Sequence, residues 1–251
     1  MKIALLGYGK MGLIIEQLAL AAGDEIELRV TAENRADIGP DELGTADVAI
    51  EFSRPDAAEA NIDLALAAGV PIVVGTTGWL NELPAVSARV GEAGGALFWA
   101  SNFSIGVNAY FAAARRAAEV LGRYGGYTAA VREIHHLEKR DAPSGTAITL
   151  AETVAAGLPD YDGWTLAGVE SPVPQTELAP SAVYSAQPLP IVSVREAGVP
   201  GTHLLTLNSP VDTLELKHTA HSREGFATGA LAAARWLVGK QGVFTMRDML
   251  G

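Results

Sequence analysis

Residues 2–12 read Lys2-Ile3-Ala4-Leu5-Leu6-Gly7-Tyr8-Gly9-Lys10-Met11-Gly12, and a helix-compatible stretch follows as far as Ala22. The short apolar run is consistent with a buried strand, so the pattern is a G-x-G-x-x-G loop set between a strand and a helix. A second run, Glu25 to Thr31, reads as the next strand. Just beyond it stands Glu33, an acid placed to bind the ribose hydroxyls of a dinucleotide. A glycine-rich turn alone is a weak signal. With its strand, helix and acid in order it becomes a strong one for a dinucleotide site carried by Gly7, Tyr8, Gly9, Lys10, Met11, Gly12 and Glu33.

The alternation continues outward from that stretch. Asp47 to Phe52 reads as strand, Pro55 to Ala68 as helix, Val70 to Val74 as strand, Leu80 to Val90 as helix and Ala96 to Trp99 as strand. Strands that exchange with helices build a parallel sheet, and ligands sit outside the carboxyl ends of such strands. Those ends carry Gly7, Ser53-Arg54-Pro55, Gly75-Thr76-Thr77-Gly78 and Ser101-Asn102-Phe103. Phe103 has two readings, packing on a nicotinamide ring or anchoring its loop in the core, and core anchoring is the commoner fate.

Composition narrows the class. The chain has 251 residues, 49% of them hydrophobic, enough for one large core or two smaller ones. It contains no cysteine, which excludes disulfides, thiolate catalysis, Cys-ligated zinc and iron–sulfur clusters. The apolar run Ile3 to Leu6 is too short for the core of a signal peptide, and a cytoplasmic protein is expected. Ala93 to Ala114 carries no charge but is broken by Ser101, Asn102, Ser104 and Asn108, so it reads as strand, polar loop and helix start rather than a membrane span. A formal net charge of −11 argues against nucleic acid or an anionic membrane as partner. An anionic substrate must then meet a local cluster of cations, for which Lys139, Arg140, Arg195 and Arg223 are the stock.

The segment Glu133 to Ala147 reads Glu-Ile-His-His-Leu-Glu-Lys-Arg-Asp-Ala-Pro-Ser-Gly-Thr-Ala. His135 and His136 are candidate general acids, because imidazole exchanges protons near neutral pH. Lys139 lies four residues after His135, on the same side in either an extended or a helical segment. Ser144 begins helix-start chemistry, and the N–H groups of Gly145 and Thr146 can receive a carboxylate at the positive end of a helix dipole.

Beyond a helix from Val107 to Leu121 the rhythm changes. Tyr127 to His135 reads as strand, Thr146 to Ala156 as helix, and Leu158 to Pro190 as Pro-, Gly- and Ser-rich loop with short strands. Ile191 to Arg195, Thr202 to Asn208 and Val211 to Thr219 follow as strands, with antiparallel pairing expected through turns at Val199-Pro200-Gly201 and Asn208-Ser209-Pro210. Ser222 to Lys240 closes as a long Ala-rich helix with Ser222 as N-cap and Arg223 in its first turn, returning to the first domain. His203, His218 and His221 have no metal-site spacing and read as core or surface residues. The expected organisation is α/β: a Rossmann-type parallel sheet from residues 1–104 and 220–251, and an α+β domain on an open mixed sheet from residues 105–219.

Five motifs carry a resemblance over nearly the whole chain: Gly7-Tyr-Gly-Lys-Met-Gly12, Gly75-Thr-Thr-Gly78, Ser101-Asn-Phe-Ser-Ile-Gly-Val-Asn108, Glu133 to Ala147, and Ser222-Arg-Glu-Gly-Phe-Ala-Thr-Gly-Ala230. The sequence resembles the 4-hydroxy-tetrahydrodipicolinate reductases, long called dihydrodipicolinate reductases, of the diaminopimelate route to lysine. The resemblance implies hydride transfer from NADH or NADPH to a cyclic imino dicarboxylate, and a homotetramer; no metal is expected, from the missing cysteines and the histidine spacing. It implies His135 as proton donor supported by Lys139, and His136 with the Ser144-Gly145-Thr146 turn as holders of the substrate carboxylates, to which Arg223 is added from the stock of cations as a substrate-binding residue. It also implies that the glycine loop, Glu33, Gly75, Thr76, Thr77, Ala100, Ser101, Asn102 and Phe103 line the cofactor. Glu33 favours a free 2′-hydroxyl while Arg35 can pair with a 2′-phosphate, so both dinucleotides stay open. Two rival readings are a related two-domain amino-acid or hydroxy-acid dehydrogenase, such as one resembling aspartate dehydrogenase, and a dinucleotide sensor without turnover.

Overall fold

The computed structural model describes residues 1–173, 175, 177–179, 181–183 and 187–251. They form two compact units, Met1–Ile105 with Glu224–Gly251, and Gly106–Arg223.

In the first unit the chain alternates β1 (Lys2–Leu6), α1 (Lys10–Ala21), β2 (Glu25–Val30), a short α2 (Pro40–Leu43), β3 (Val48–Glu51), α3 (Pro55–Ala67), β4 (Ile72–Val74), α4 (Leu83–Ala93) and β5 (Ala96–Trp99). After the second unit it returns as α7 (Glu224–Leu237), β14 (Gly242–Phe244) and α8 (Met246–Leu250). All six strands run parallel in the order β14-β5-β4-β3-β1-β2. β1, β3 and β4 are apolar runs because both faces of the sheet are covered. Ile3, Leu5, Ile50, Val73 and Phe98 cluster with residues of α1, α7 and α8. The alternate residues Ala4, Leu6, Ala49, Ile72 and Leu97 cluster with those of α3 and α4. α7 approaches closely because it presents small residues: a Cβ on Gly229 would lie 1.7 Å from the Phe103 carbonyl oxygen. From β1 the chain goes first to β2 on one side and then to β3 on the other, which opens a crevice above the carboxyl ends of β1 and β3.

The second unit begins with α5 (Ile105–Gly122) and continues as β6 (Thr128–His135), β7 (Asp141–Ala142), α6 (Gly145–Ala155), β8 (Gly163–Glu170), β9 (Glu177–Leu178), β10 (Ala182–Val183), β11 (Leu189–Arg195), β12 (Gly201–Asn208) and β13 (Thr213–Ala220). Its main sheet is mixed, in the order β10-β8-β11-β6-β12-β13, and β7 pairs with β9 separately. One face carries Ala129, Val131, Leu189, Ile191, Leu205 and Leu207 against apolar residues of α5 and α6.

Three expectations change. β11 does not form a hairpin with β12; it lies parallel to β6, while β12 lies antiparallel on the other side of β6. The link between them crosses the end of β6, where the Glu196 N–H donates to the His135 carbonyl at 2.8 Å. The turn after Asn208 does join β12 to β13 as an antiparallel pair. Within Leu158 to Pro190 an eight-residue strand, β8, sits inside the sheet beside β11; residues 174, 176, 180 and 184–186 of that stretch lie outside the described residues. Finally, α7 starts at Glu224, so Arg223 stands before the helix and not in its first turn. Among the described residues, no helix is long and apolar enough to cross a membrane.

Candidate functional site

The three glycines of the first loop are fixed by different constraints. Gly7 has φ +99°, and a Cβ there would sit 2.2 Å from the Phe52 carbonyl oxygen, so only glycine fits the turn. A Cβ on Gly12 would lie 2.6 Å from the Gly7 carbonyl oxygen, which holds α1 close to β1. Gly9 caps α1 in ordinary extended geometry with nothing within 4 Å of its Cβ position. Neither packing nor backbone strain demands that second glycine; it leaves the helix N-terminus open to a close-approaching anion.

A cleft of about 530 Å³ runs from this loop past Thr31, Glu33 and Arg35 to Phe52, Ser53 and Asn61. A second, of about 450 Å³, is lined by Gly9, Lys10, Met11, Ser53, Gly75, Thr76 and Thr77. Glu33 is exposed, and hydrogen bonds from Thr31 and from its own backbone hold its carboxyl below the ordinary range. The cradle at Gly7 and Gly9, with an ionised acid at the end of β2, fits an adenine dinucleotide. Of the two readings of Phe103 the structure takes core anchoring: its side chain is 1% exposed and packs between Phe52 and Phe98. It anchors its loop, so any contribution to cofactor binding comes from its backbone. Ala100 is buried too, whereas Ser101 is exposed and Asn102 half-buried.

In the second unit the sheet face that packs on α6 turns polar at one end. Strand alternation puts Ala129, Val131, Glu133 and His135 on that face, the first two apolar and the last two not. Register brings Arg195 opposite His135 and His203 opposite Glu133. Glu133 and Arg195 have side chains that are 0% exposed and pair at 3.0 Å. The other carboxylate oxygen, Oε2, accepts from His135 Nδ1. Burial alone would push the Glu133 carboxyl up; the hydrogen bond and charge of His135, with Ser193 and the Arg195 guanidinium, outweigh it and hold its pKa at about 2. Glu133 therefore fixes the Nδ1–H form of His135 and leaves Nε2 as the nitrogen facing away from the carboxylate. A Cβ on Gly201 would lie 3.0 Å from that Nε2, so glycine there keeps the atom approachable.

His203 stands edge-on to His135, ring centroids 5.1 Å apart. Burial first, then the charge of His135, pushes it down to about 3, so it is neutral. Its Nε2 lies 3.0 Å from Ser144 Oγ. Ser144 Oγ also accepts the Ala147 N–H as the N-cap of α6, so one hydroxyl joins the helix start to the His203 ring. Glu133, His135 and His203 place ligating atoms within 4.8 Å of one another. Both Glu133 oxygens are already engaged and a guanidinium lies beside them, which favours an imidazole-holding arrangement over a cation site.

The structure also places the remaining candidates. β6 ends at His135 and the chain turns, the Lys139 N–H donating to the His136 carbonyl at 3.2 Å, so neither the extended nor the helical spacing argument applies to Lys139. Lys139 Nζ instead meets both Asp141 oxygens at 2.8 and 2.7 Å. His136 has its own partner, Glu138, at 2.9 Å. Gly145 is exposed with nothing within 4 Å of its Cβ position and no positive φ, leaving the start of α6 accessible beside half-buried Thr146. Arg195 is no free cation for a ligand: besides Glu133 it donates to Gln175 and to the carbonyls of Lys139, Val194 and Asp141. Arg223 and Arg140 are exposed. Sequence reading gave no role to Glu133 and left His203 as a bystander; the signal for both was polar residues at the buried phase of apolar strands.

The family models described as dihydrodipicolinate reductase, N-terminus, and dihydrodipicolinate reductase, C-terminus, match residues 1–103 and 106–250. The chain belongs to the dihydrodipicolinate reductase family. The family comprises NAD(P)H-dependent oxidoreductases of the diaminopimelate route to lysine, with a Rossmann-type N-terminal domain. A 4-hydroxy-tetrahydrodipicolinate reductase of Christiangramia forsetii is 39% identical over 251 residues, covering 100% of this chain and 98% of that protein. One of Akkermansia muciniphila is 36% identical over 245 residues, covering 97% and 94%. Among solved structures, a dipicolinate-bound dihydrodipicolinate reductase from Paenisporosarcina sp. TG-14 shares the fold with a TM-score of 0.79 at 21% identity, covering 100% of this chain and 99% of that one. A probable dehydrogenase from Thermotoga maritima shares it more loosely, with a TM-score of 0.57 at 10% identity and coverage of 99% and 92%. Membership of this reductase family displaces both rival readings. The C-terminal family segment spans α7 and β14, which structurally complete the first unit.

Proposed function

We propose that this chain reduces 4-hydroxy-tetrahydrodipicolinate to tetrahydrodipicolinate with NADH or NADPH, using His135 as proton donor. The observation that carries the assignment is the imidazole of His135 held by buried Glu133, with His203 edge-on beside it and in contact with the Ser144 cap of α6. Gly7 to Gly12, Glu33, Gly75 to Thr77 and the Ala100 to Phe103 backbone hold the dinucleotide. Loss of the 4-hydroxyl as water leaves a ring carbon conjugated with the imine, and a reduced nicotinamide held in the cleft would supply the hydride to it. His135 Nε2 delivers the proton that neutralises the electron density left on the ring, while the Glu133 carboxylate balances the ring charge of the imidazole when it carries both protons. The N–H groups at Gly145 and Thr146, with Ser144 and His136, receive the substrate carboxylates. Lys139 and Arg223 supply positive charge to a dianion, in a chain whose formal net charge is −11. Dipicolinate, a planar ring dicarboxylate, is bound by the Paenisporosarcina relative, and the carboxylate-receiving groups here support the same substrate class.

The test is loss of reduced-nicotinamide absorbance with substrate freshly generated from pyruvate and aspartate semialdehyde by the preceding synthase. His135→Gln is expected to lower kcat about 10²–10⁴-fold with dinucleotide Kd unchanged, and Lys139→Ala to lower kcat/KM. Near-normal turnover of His135→Gln would remove the assignment. The proposed assembly is a homotetramer in the cytoplasm, supported by half-buried Ile134, Val192, Val194 and Leu204 on the sheet face away from α6. Light scattering of the purified chain reads the assembly directly.

A further inference from the structure

The cleft beside the glycine loop holds an acid and a base two residues apart, Glu33 and Arg35, and the structure treats them differently. Glu33 is exposed on a turn held by its N–H donating to Thr31 Oγ1 at 3.2 Å and by the Thr31 N–H donating to Asn34 Oδ1 at 2.7 Å. Arg35 is tied back. Its Nε donates to Asn61 Oδ1 at 2.7 Å, and its terminal nitrogens to the carbonyls of Ala60 at 3.1 Å and Ile38 at 3.5 Å.

Asn61 is buried in α3, and its orientation is forced. A guanidinium only donates, so the amide must turn its oxygen to Arg35. Its Nδ2 then faces Glu51 Oε1 at 3.4 Å and Ser53 Oγ at 3.3 Å. Glu51 is 0% exposed at the end of β3, and its Oε1 also accepts the Ser53 N–H at 3.1 Å. Only an amide meets both sides: aspartate would set a second carboxylate against buried Glu51, and leucine would drop both bonds. Arg54, the other cation of this cleft, is largely exposed and paired with Asp56 at 2.8 Å.

We propose that Asn61 is a specificity-determining residue that sets a preference for NADH over NADPH by holding Arg35 against α3. This rests on reading the cleft as the dinucleotide site. A 2′-hydroxyl finds the Glu33 carboxylate as acceptor. A 2′-phosphate meets that carboxylate as a like charge and gains Arg35 only by drawing it off three acceptors.

The experiment is titration of the purified full chain with NADH and NADPH, without substrate, followed by nicotinamide fluorescence. Wild type is expected to bind NADH about 10-fold tighter. Asn61→Leu removes the side-chain acceptor among the three that hold Arg35 and moves the Kd ratio about 5-fold toward NADPH, and Asn61→Leu/Arg35→Ala takes that gain away. Arg35→Ala alone leaves the ratio within about 2-fold of wild type, because the tethered guanidinium contributes to neither ligand. Equal or tighter NADPH binding by wild type overturns the proposal, as does an unchanged ratio in folded Asn61→Leu. If Asn61→Leu does not fold, Arg35→Ala decides: selective loss of NADPH binding shows that Arg35 already reaches the phosphate and refutes the tether. Binding of both dinucleotides without preference sinks this inference alone; binding of neither sinks the reading of the cleft with it.

Discussion

Replacing Glu133 by glutamine tests the polar end of the second sheet without changing its shape. Glu133 and Arg195 are both fully buried, and the carboxylate also holds His135. In the folded chain Glu133 has a pKa of about 2 against an ordinary 4.5. At about 1.4 kcal/mol for each pH unit, that difference is worth about 3 kcal/mol. Removing one partner of a buried ion pair gives an independent figure of about 3–5 kcal/mol, because the remaining charge is left without compensation. Glutamine also offers one acceptor oxygen where two donors now arrive. The expected loss of about 3 kcal/mol corresponds to about 10 °C in Tm, taking about 2–4 °C per kcal/mol for a chain of this size. The sign with pH is equally specific. A depressed carboxyl pKa stabilises the fold above pH 4.5 and loses that stabilisation as pH falls toward 2. The other carboxylates titrate alike in both proteins, so the gap between wild type and Glu133→Gln should be widest near neutral pH and about 1.4 kcal/mol narrower at about pH 3.5. Thermal unfolding followed by circular dichroism at the two pH values measures it. A variant melting within about 2 °C of wild type at pH 7, or a gap that does not narrow in acid, would refute the reasoning.

Two further substitutions separate packing from ligand access. Gly7→Ala forces a Cβ to within 2.2 Å of a backbone oxygen at φ +99°, so calorimetry should show about 3 kcal/mol of lost stability together with lost dinucleotide binding. Gly9→Ala has open space and ordinary φ; it should melt like wild type yet bind both dinucleotides at least about 10-fold more weakly, and unchanged binding would contradict the role given to that position. Ser144→Ala removes the cap of α6 and the hydrogen-bond partner of His203, and urea unfolding should show a loss of about 1–2 kcal/mol; a neutral result would mean that the pair contributes nothing net.

The first unit was legible because its signals are local. An apolar run, a glycine loop and a helix lie within a few residues of one another, and parallel strands buried on both faces read as uninterrupted apolar runs. The second sheet was less so. β8, Gly-Trp-Thr-Leu-Ala-Gly-Val-Glu, has two glycines and one strong apolar anchor, Trp164, so its pattern does not rise above the loop-rich sequence around it. The placement of β11 beside β6 depends on where their side chains find common cover under α6, a long-range property that turn residues at 199–201 do not encode. For the same reason His135 and Ser144 were visible within one segment, whereas His203, remote in sequence, enters the site only through the register of β12 on β6. Lys139 shows the opposite case, a pair argued from spacing whose backbone turns instead.

The chain leaves the first unit at Ile105 and re-enters it at Glu224. The sheet face formed by Ile3, Leu5, Ile50, Val73 and Phe98 shares one core with Ala227, Ala230, Leu231, Ala234 and Leu237 of α7. On a ribosome adding about 5–20 residues per second, the half of the molecule that emerges first therefore waits on the order of ten seconds for the helix that covers it. The nascent protein passes through a stage in which a five-stranded sheet exposes an apolar face while the later-made unit folds. Its vulnerability to aggregation should be concentrated in synthesis, and it should be sensitive to whatever slows translation between codons 106 and 223.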